Sequence, residues 1–344
     1  MKILYGVTGE GLGHAMRSRV VAEHLRARGH EVKIVAPKRA HDYLKRHHDD
    51  VTEIQGLAMT YVKGGVSRVR TIARTGKMAR SVLSEGLELF RGPLAAFQPD
   101  ACITDFDSFS HVFGLVFGRP VISLDHQHVI DRCDHAPAIT DRLPRDFVLT
   151  RALVRAKLPG CAHYLITSFY FPTPARDNTS LVGPNLRPEV LARTPSSGEH
   201  VLVYQTGVAT PALLSALHAV NAKFVLYERG ATPREDRNLS IRAFDEPRFL
   251  DDLASARAVI CNGGYTTISE ALYFGKPVLS VPLRHQGEQE LNAAYLDELS
   301  LGRTTDKVGA GVVRDFLARP PTARPIAPGN ADALARIDNL LEAA

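Results

Sequence analysis

Three groups of residues in this sequence have the types and spacing to do chemistry. A glycine-rich turn, Gly9-x-Gly11-x-Gly13, ends on His14. An imidazole titrates near neutrality and can take a proton from an incoming hydroxyl, provided a carboxylate orients it. Asp105, closing the run Ala101-Cys-Ile-Thr-Asp, is the first candidate for that carboxylate and Asp107 the second. Asp105 would serve equally well as the N-cap of a helix starting near Ser108, so both readings stand. The third group is the turn Asn262-Gly263-Gly264 with Thr266, Thr267 and Glu270. Two glycines between a strand and a helix let backbone N–H groups approach an anion at the helix's positive end. One turn further on, the Glu270 carboxylate can accept hydrogen bonds from a ribose diol. The pattern reads as a site for a nucleoside diphosphate.

Other clusters have weaker claims. The first glycine cluster resembles a dinucleotide fingerprint, but His14 falls where its third glycine belongs. Ala36-Pro37-Lys38 follows the second strand and offers no acid for a ribose hydroxyl. Lys38 and Arg39 keep open a 2′-phosphorylated nicotinamide cofactor. Asp105-Phe-Asp107 is a D-x-D, able in principle to hold a divalent cation, yet it lies in the half opposite the phosphate turn. Asp125-His126-Gln127-His128 carries zinc-capable side chains without a further ligand pair, so His126 and His128 are read as acceptor-side lining. Arg68, Arg70, Arg74, Lys77 and Arg80 read first as a solvated helix face, and second as a contact to an anionic membrane or substrate.

Positioning these residues requires alternating strands and helices. Lys2–Tyr5, a glycine turn, a helix carrying Val20, Val21 and Leu25, and the strand Glu31–Val35 make the first half of a doubly wound sheet. Short apolar runs at 51–54, 101–104, 121–124 and 164–167 predict further strands, and 66–97 reads as mostly helical. The pattern breaks near Val182-Gly-Pro-Asn, then restarts with strands at 201–204, 224–226, 239–241, 258–261 and 278–281. Thr206 and Gly207 form the turn after the first of these. A chain of 344 residues fits two domains of ~150 residues each, and its 44% apolar content suffices for two cores. The net charge of +5 favours anionic partners without choosing among them, and no nucleic-acid-binding module is evident. Cys102, Cys133, Cys161 and Cys261 form no C-x-x-C pair and read as buried thiols in a reducing compartment. With neither a signal-peptide core nor an apolar run of ~20 residues, the chain reads as cytoplasmic, at the inner face of the membrane if the basic segment touches it.

Taken together, these residues resemble an inverting, metal-independent glycosyltransferase of the GT-B fold, similar to the UDP-glycosyltransferases and the MurG-type enzymes. The most specific part is C-terminal: Gly263-Gly264, Thr267, Glu270, Gly275-Lys-Pro277 and Gln289-Glu-Leu-Asn-Ala293. The resemblance implies two Rossmann-like domains facing across a cleft, with an acceptor domain at 1–183 and a donor domain at 184–325. A terminal helix within 326–344 would return to the first domain. It implies a UDP- or TDP-sugar as donor substrate, no cofactor and no metal. By position, Asn262, Gly263, Gly264, Thr266, Thr267, Thr206 and Gly207 would hold the nucleotide, with Glu270 on the ribose and Phe244 against the base. Glu288 and Gln289 would bind sugar hydroxyls, Gly11 and Gly13 would lie on the acceptor side, and His14 would be the base, oriented by Asp105. The chain departs from the relatives' pattern at Asn262, where many have histidine, at Glu288, where aspartate is usual, and at Pro247, where plant relatives have a base-binding glutamine. A non-hydrolysing sugar-nucleotide 2-epimerase and a non-catalytic sugar-nucleotide sensor are the rival readings. The acceptor is an unknown lipid, glycan or secondary metabolite.

Overall fold

The computed structural model describes residues 1–9, 11–55, 61–62, 65–66, 88–90, 92–205, 209–228, 230–322 and 324–344. The basic run 68–80, most of the loop 56–65, most of the helical run expected over 66–97, and the turn Thr206-Gly207 lie outside them.

The first sheet contains β1 (Lys2–Val7), β2 (Glu31–Ala36), β3 (Val51–Glu53), β4 (Ala101–Asp105), β5 (Val121–Asp125), β6 (His163–Thr167) and β7 (Thr179–Val182). All are parallel, in the order β7-β6-β5-β4-β1-β2-β3. The second sheet repeats the plan with β8 (His200–Tyr204), β9 (Lys223–Tyr227), β10 (Arg234–Asp236), β11 (Leu239–Arg242), β12 (Ala258–Cys261), β13 (Val278–Ser280) and β14 (Gly302–Thr304). Its order is β10-β11-β9-β8-β12-β13-β14, with only β10 antiparallel. The central strands are buried along their length, as a sheet covered on both faces requires, and this is why they read as unbroken apolar runs.

In each sheet the chain order reverses beside the first strand, between β1 and β4 and between β8 and β12. Ligands of open parallel sheets bind outside the carboxyl ends of the strands at such a reversal. The register sets Asp105 beside Val7 in the first sheet and Cys261 beside Tyr204 in the second.

The helices that matter for the site are α1 (Leu12–Ala27), α2 (Lys38–Lys45), α3 (Ser108–Val116), α4 (Phe147–Lys157), α5 (Pro211–His218), α6 (Glu246–Ser255), α7 (Tyr265–Tyr273), α8 (Gly287–Glu298), α9 (Ala310–Ala318) and α10 (Asn330–Glu342). Among the described residues no helix is long and apolar enough to cross a membrane. All four cysteines are buried, and burial pushes each thiol up to about 12.

The last helix returns to the first sheet. Ala333, Ile337 and Leu341, spaced four apart on one face of α10, join the core formed by Ile3, Ile34, Ile103 and Ile122. His24 Nε2 of α1 sits 2.9 Å from Asp338 Oδ1. The return crosses the segment that links the two sheets at a contact between two glycines. A Cβ on Gly329 would lie 2.2 Å from the Gly183 carbonyl carbon, and the Gly329 N–H donates to Pro184 O at 2.7 Å. Backbone cannot swing aside as a side chain can. Gly329→Ala is therefore expected to destabilise the chain by ~1–3 kcal/mol, as overpacking elsewhere does. A chemical denaturation midpoint equal to that of the parent chain would show that this crossing adapts.

Among the described residues, three strands of the two large sheets were not expected from the sequence: β7, β10 and β14. Each is short: β7 alternates no apolar face in Thr-Ser-Leu-Val, β10 is Arg-Glu-Asp and β14 is Gly-Arg-Thr, and all three lie at sheet edges, where one flank is open and the apolar signal fades.

Candidate active site

His14 stands in the first turn of α1, directly above the carboxyl end of β1. Gly11 caps that helix with φ 101°, a backbone conformation that a side chain resists. Gly13 brings α1 against the second lobe, since a Cβ there would lie 2.3 Å from Thr266 Oγ1. His14 Nδ1 lies 2.8 Å from Asp105 Oδ1, and both side chains are buried.

The N-cap reading of Asp105 gives way to Asp107, whose carboxylate accepts from Ser110 N at 2.8 Å and Ser110 Oγ at 2.9 Å. Phe106 between them adopts a left-handed φ of 53°. The two acids of the D-x-D thus serve different partners, one at α1 and one at α3. Among the described residues no three His, Cys, Asp or Glu side chains gather as a metal ion would need.

Arg17, which sequence reasoning missed, completes the cluster. Its Nε donates to Asp105 Oδ2 at 2.8 Å and its Nη2 to Oδ1 at 2.5 Å, while Ser18 Oγ donates to Oδ2 at 3.0 Å. The i, i+3, i+4 spacing of His14, Arg17 and Ser18 on one helix face was the available signal. Burial alone would raise the Asp105 carboxyl, but Arg17 and His14 together hold it below the ordinary aspartate value. Arg17 Nη2 also lies 2.7 Å from His14 Nδ1, so cation and imidazole share the same carboxylate.

The segment after β5 is placed differently from the expected acceptor lining. His128 is buried against Asp125, with Nδ1 2.7 Å from Oδ2, because a buried carboxylate needs that partner. His126 is fully buried between the lobes. Its Nδ1 faces Thr167 O at 2.8 Å, its Nε2 faces Asn292 Oδ1 at 2.7 Å, and its ring stacks on Tyr265 at 4.1 Å. Burial lowers its imidazole below the usual value. Gln127, between the two histidines, is the residue of this segment that reaches the dyad. Its Nε2 lies 3.0 Å from His14 Nε2 and donates to Glu288 Oε2 at 3.0 Å.

In the second lobe, β12 runs into Asn262, whose Nδ2 donates to Val281 O at 3.0 Å. Gly263 packs too closely for a side chain, since a Cβ would lie 2.5 Å from Gln289 O. A Cβ on Gly264 would meet nothing within 4 Å, and Gly264 caps α7 with no side-chain hydrogen bond. The first turn of α7, with Thr266 and Thr267 half-buried, lies against Gly13 of α1, and its Gly264 cap offers no side chain to the amide groups there.

Glu270 lies one turn further in and is 2% exposed. Arg187, from the segment joining the lobes, grips it through Nε at 2.9 Å and Nη2 at 3.0 Å and also pairs with Glu246. Burial lifts the Glu270 carboxyl above its ordinary range despite this pairing, while Arg187 stays charged beside two acids.

Phe244 belongs to an aromatic group with Tyr204, Tyr227 and Phe249. It lines a cavity of about 50 Å³ with Tyr204, Gln205, Tyr227, Glu228, and Leu12 and Arg39 from the first lobe. Gln289 Oε1 accepts from Gly263 N at 3.2 Å and Leu283 N at 3.0 Å, so it ties two turns together. Glu288 is half-buried and faces Gln127. Thr206 and Gly207 fall outside the described residues.

The family profile described as glycosyl transferase family 1 matches residues 1–321. An uncharacterized glycosyltransferase of Methanosarcina mazei is 26% identical over 88% of this chain and 85% of its own. The UDP-N-acetylglucosamine--N-acetylmuramyl-(pentapeptide) pyrophosphoryl-undecaprenol N-acetylglucosamine transferase of Agrobacterium fabrum is 27% identical over 86% of this chain and 78% of its own. Among solved structures, Phytolacca americana UGT2 complexed with UDP-2-fluoro-glucose and pterostilbene superimposes with a TM-score of 0.64. That structure covers all of this chain and 94% of its own at 18% identity, a likeness of fold.

Proposed function

The chain belongs to glycosyl transferase family 1 and has the GT-B fold, and from that premise we propose that it transfers a sugar from a UDP- or TDP-sugar to an acceptor hydroxyl with inversion and without a metal. Family membership favours transfer over the epimerase and sensor readings. The observation that carries the mechanism is the His14–Asp105 pair at the reversal of the first sheet, facing the uncapped start of α7 at the reversal of the second.

In this reading the acceptor hydroxyl gives its proton to His14 Nε2 as its oxygen attacks the anomeric carbon. The bond from that carbon to the diphosphate oxygen breaks on the opposite face, and the electron pair leaves with the diphosphate. Charge developing there is met by the amides at the start of α7, by Thr266 and by Thr267, which is why no cation is needed. The aromatic group around Phe244 takes the base. Glu270 takes the ribose, sharing its carboxylate with Arg187 or giving up part of that pairing. Glu288 reads a sugar hydroxyl.

The donor lobe is 184–325 and the acceptor lobe 1–183, and closure of the cleft keeps water from the donor. The protein works in the cytoplasm, reaching a lipid-borne acceptor at the membrane's inner face. The name of the Agrobacterium relative, with its pyrophosphoryl-undecaprenol-linked acceptor, and the exposed Leu115, Val116 and Phe117 of the first lobe support that last point.

The test is incubation with a panel of UDP- and TDP-sugars and candidate acceptors in the presence of EDTA. Nucleoside diphosphate release and a product of inverted anomeric configuration by proton NMR are expected. Retained configuration would end the inverting assignment, and loss of turnover in EDTA would end the metal-free one. A new sugar epimer formed without an acceptor would restore the epimerase.

A further inference from the structure

We propose that Gln127 is a positioning residue for the base: it selects the His14 tautomer that leaves Nε2 free to take a proton, and it holds that choice by anchoring on Glu288 across the cleft. The inference rests on the reading of His14 as the base.

In a simple histidine–aspartate pair the carboxylate settles the tautomer, because Nδ1–H donates to it. Here that signal is divided. Asp105 Oδ1 lies 2.8 Å from His14 Nδ1 and asks for a hydrogen there, while Arg17 Nη2, a donor in every state, lies 2.7 Å from the same nitrogen and asks for a lone pair. A ring whose Nδ1 accepts from Arg17 would carry its hydrogen on Nε2 and be useless as a base on the cleft side.

The other end of the ring decides. Gln127 Nε2 is 3.0 Å from both His14 Nε2 and Glu288 Oε2. The amide has two hydrogens, and both neighbours are satisfied when one goes to the imidazole lone pair and the other to the carboxylate. Turning the amide over would set its oxygen against the Glu288 carboxylate. Glu288 therefore fixes the amide, the amide fixes the lone pair on Nε2, and the hydrogen falls to Nδ1, facing Asp105.

Gln127 is buried, so water does not substitute for it readily. The charged groups at the ring are Asp105 from β4, Arg17 from α1 and, beyond Gln127, Glu288 from α8, while Tyr5 from β1 lies beside Asp105 and Tyr265 from α7 beside Arg17. The amide occupies the lone pair that an acceptor hydroxyl needs. A donor sugar that takes Glu288 would loosen the amide and uncover the base.

The experiment is NMR of the ligand-free protein labelled with ¹⁵N-histidine, with the His14 signals identified by their absence in His14→Gln. The parent chain should show the Nδ1–H tautomer. Gln127→Leu removes a donor to the neutral ring. It should move His14 toward the Nε2–H form and raise its titration midpoint by roughly half to one pH unit. Gln127→Glu should raise it further, and Glu288→Ala should give a partial change. Thermal unfolding identifies any variant that fails to fold, and Gln127→Asn, shorter by one methylene, then stands in for it. Unchanged tautomer and titration in both Gln127→Leu and Gln127→Glu would overturn the proposal. These signals are read without turnover. If they shift as expected while His14→Ala still turns over UDP-sugar, Gln127 keeps its role and the base assignment falls.

Discussion

Replacing His14 with alanine should lower turnover by about 10²- to 10⁴-fold, the usual worth of a general base, while affinity for UDP stays within about twofold. The surroundings make this a clean substitution. Removing the imidazole does not strand Asp105, since Arg17 grips both of its oxygens and Ser18 donates a third hydrogen bond. The buried carboxylate stays paired and the fold should hold. The converse substitution is less informative, because Asp105→Ala would leave Arg17 charged, buried and without its carboxylate. Steady-state kinetics with a UDP-sugar, alongside calorimetric titration of UDP, reads the two quantities separately. Undiminished turnover in His14→Ala would remove the imidazole from the mechanism, and lost UDP affinity would mean that it serves the donor site.

Arg187→Ala is expected to destabilise the chain by ~3–5 kcal/mol, the range for breaking a buried ion pair from one side. The guanidinium joins the inter-lobe segment to α7 through Glu270 and to α6 through Glu246, and both Arg187 and Glu270 are 3% exposed at the side chain. Without it, Glu270 must either stay charged in a buried site or take a proton.

The sign of the pH dependence follows. Burial already raises the Glu270 carboxyl in the folded chain, and losing Arg187 raises it further. A carboxyl whose folded value lies above its unfolded one favours folding at low pH. That advantage disappears as pH rises through the folded value. The deficit of Arg187→Ala should thus be smaller near pH 4.5 than near pH 7.5. Equal melting of variant and parent chain across that range would show that the pair contributes nothing net.

Glu270→Ala separates structure from donor binding. Arg187 keeps Glu246, so the stability loss should be smaller, while the lost ribose contact should weaken UDP by about 10- to 100-fold, as for a hydrogen bond to a charged group. Unaltered UDP affinity would leave Glu270 a purely structural partner of Arg187.

The architecture was legible because parallel strands buried on both faces must be apolar along their length. β1, β2, β4, β5, β8, β9 and β12 announce themselves in this way, and glycines punctuate the turns at Gly11 and Gly264. The edge strands β7, β10 and β14 lack that signal. The turn chemistry at 262–264 and the pairing of His14 with Asp105 were also within reach, since the carboxyl ends of strands beside a reversal are neighbours in any doubly wound sheet.

Polar partnership between distant segments was not legible. Arg17 meets Asp105 across 88 positions, Arg187 meets Glu270 across 83, and Gln127 meets His14 across 113 and Glu288 across 161. His126 and His128 looked like lining, yet one is spent on the lobe interface and the other on Asp125. Which of Asp105 and Asp107 caps α3 was settled by the left-handed turn at Phe106.

The sequence by itself determined two doubly wound sheets, the glycine turns and an imidazole near a carboxylate, because periodicity and backbone freedom are properties of a few adjacent residues. The tertiary structure alone decided which donors and acceptors satisfy one another. A buried polar group must be paired, and no local pattern says which distant side chain the packing of two lobes will bring to it.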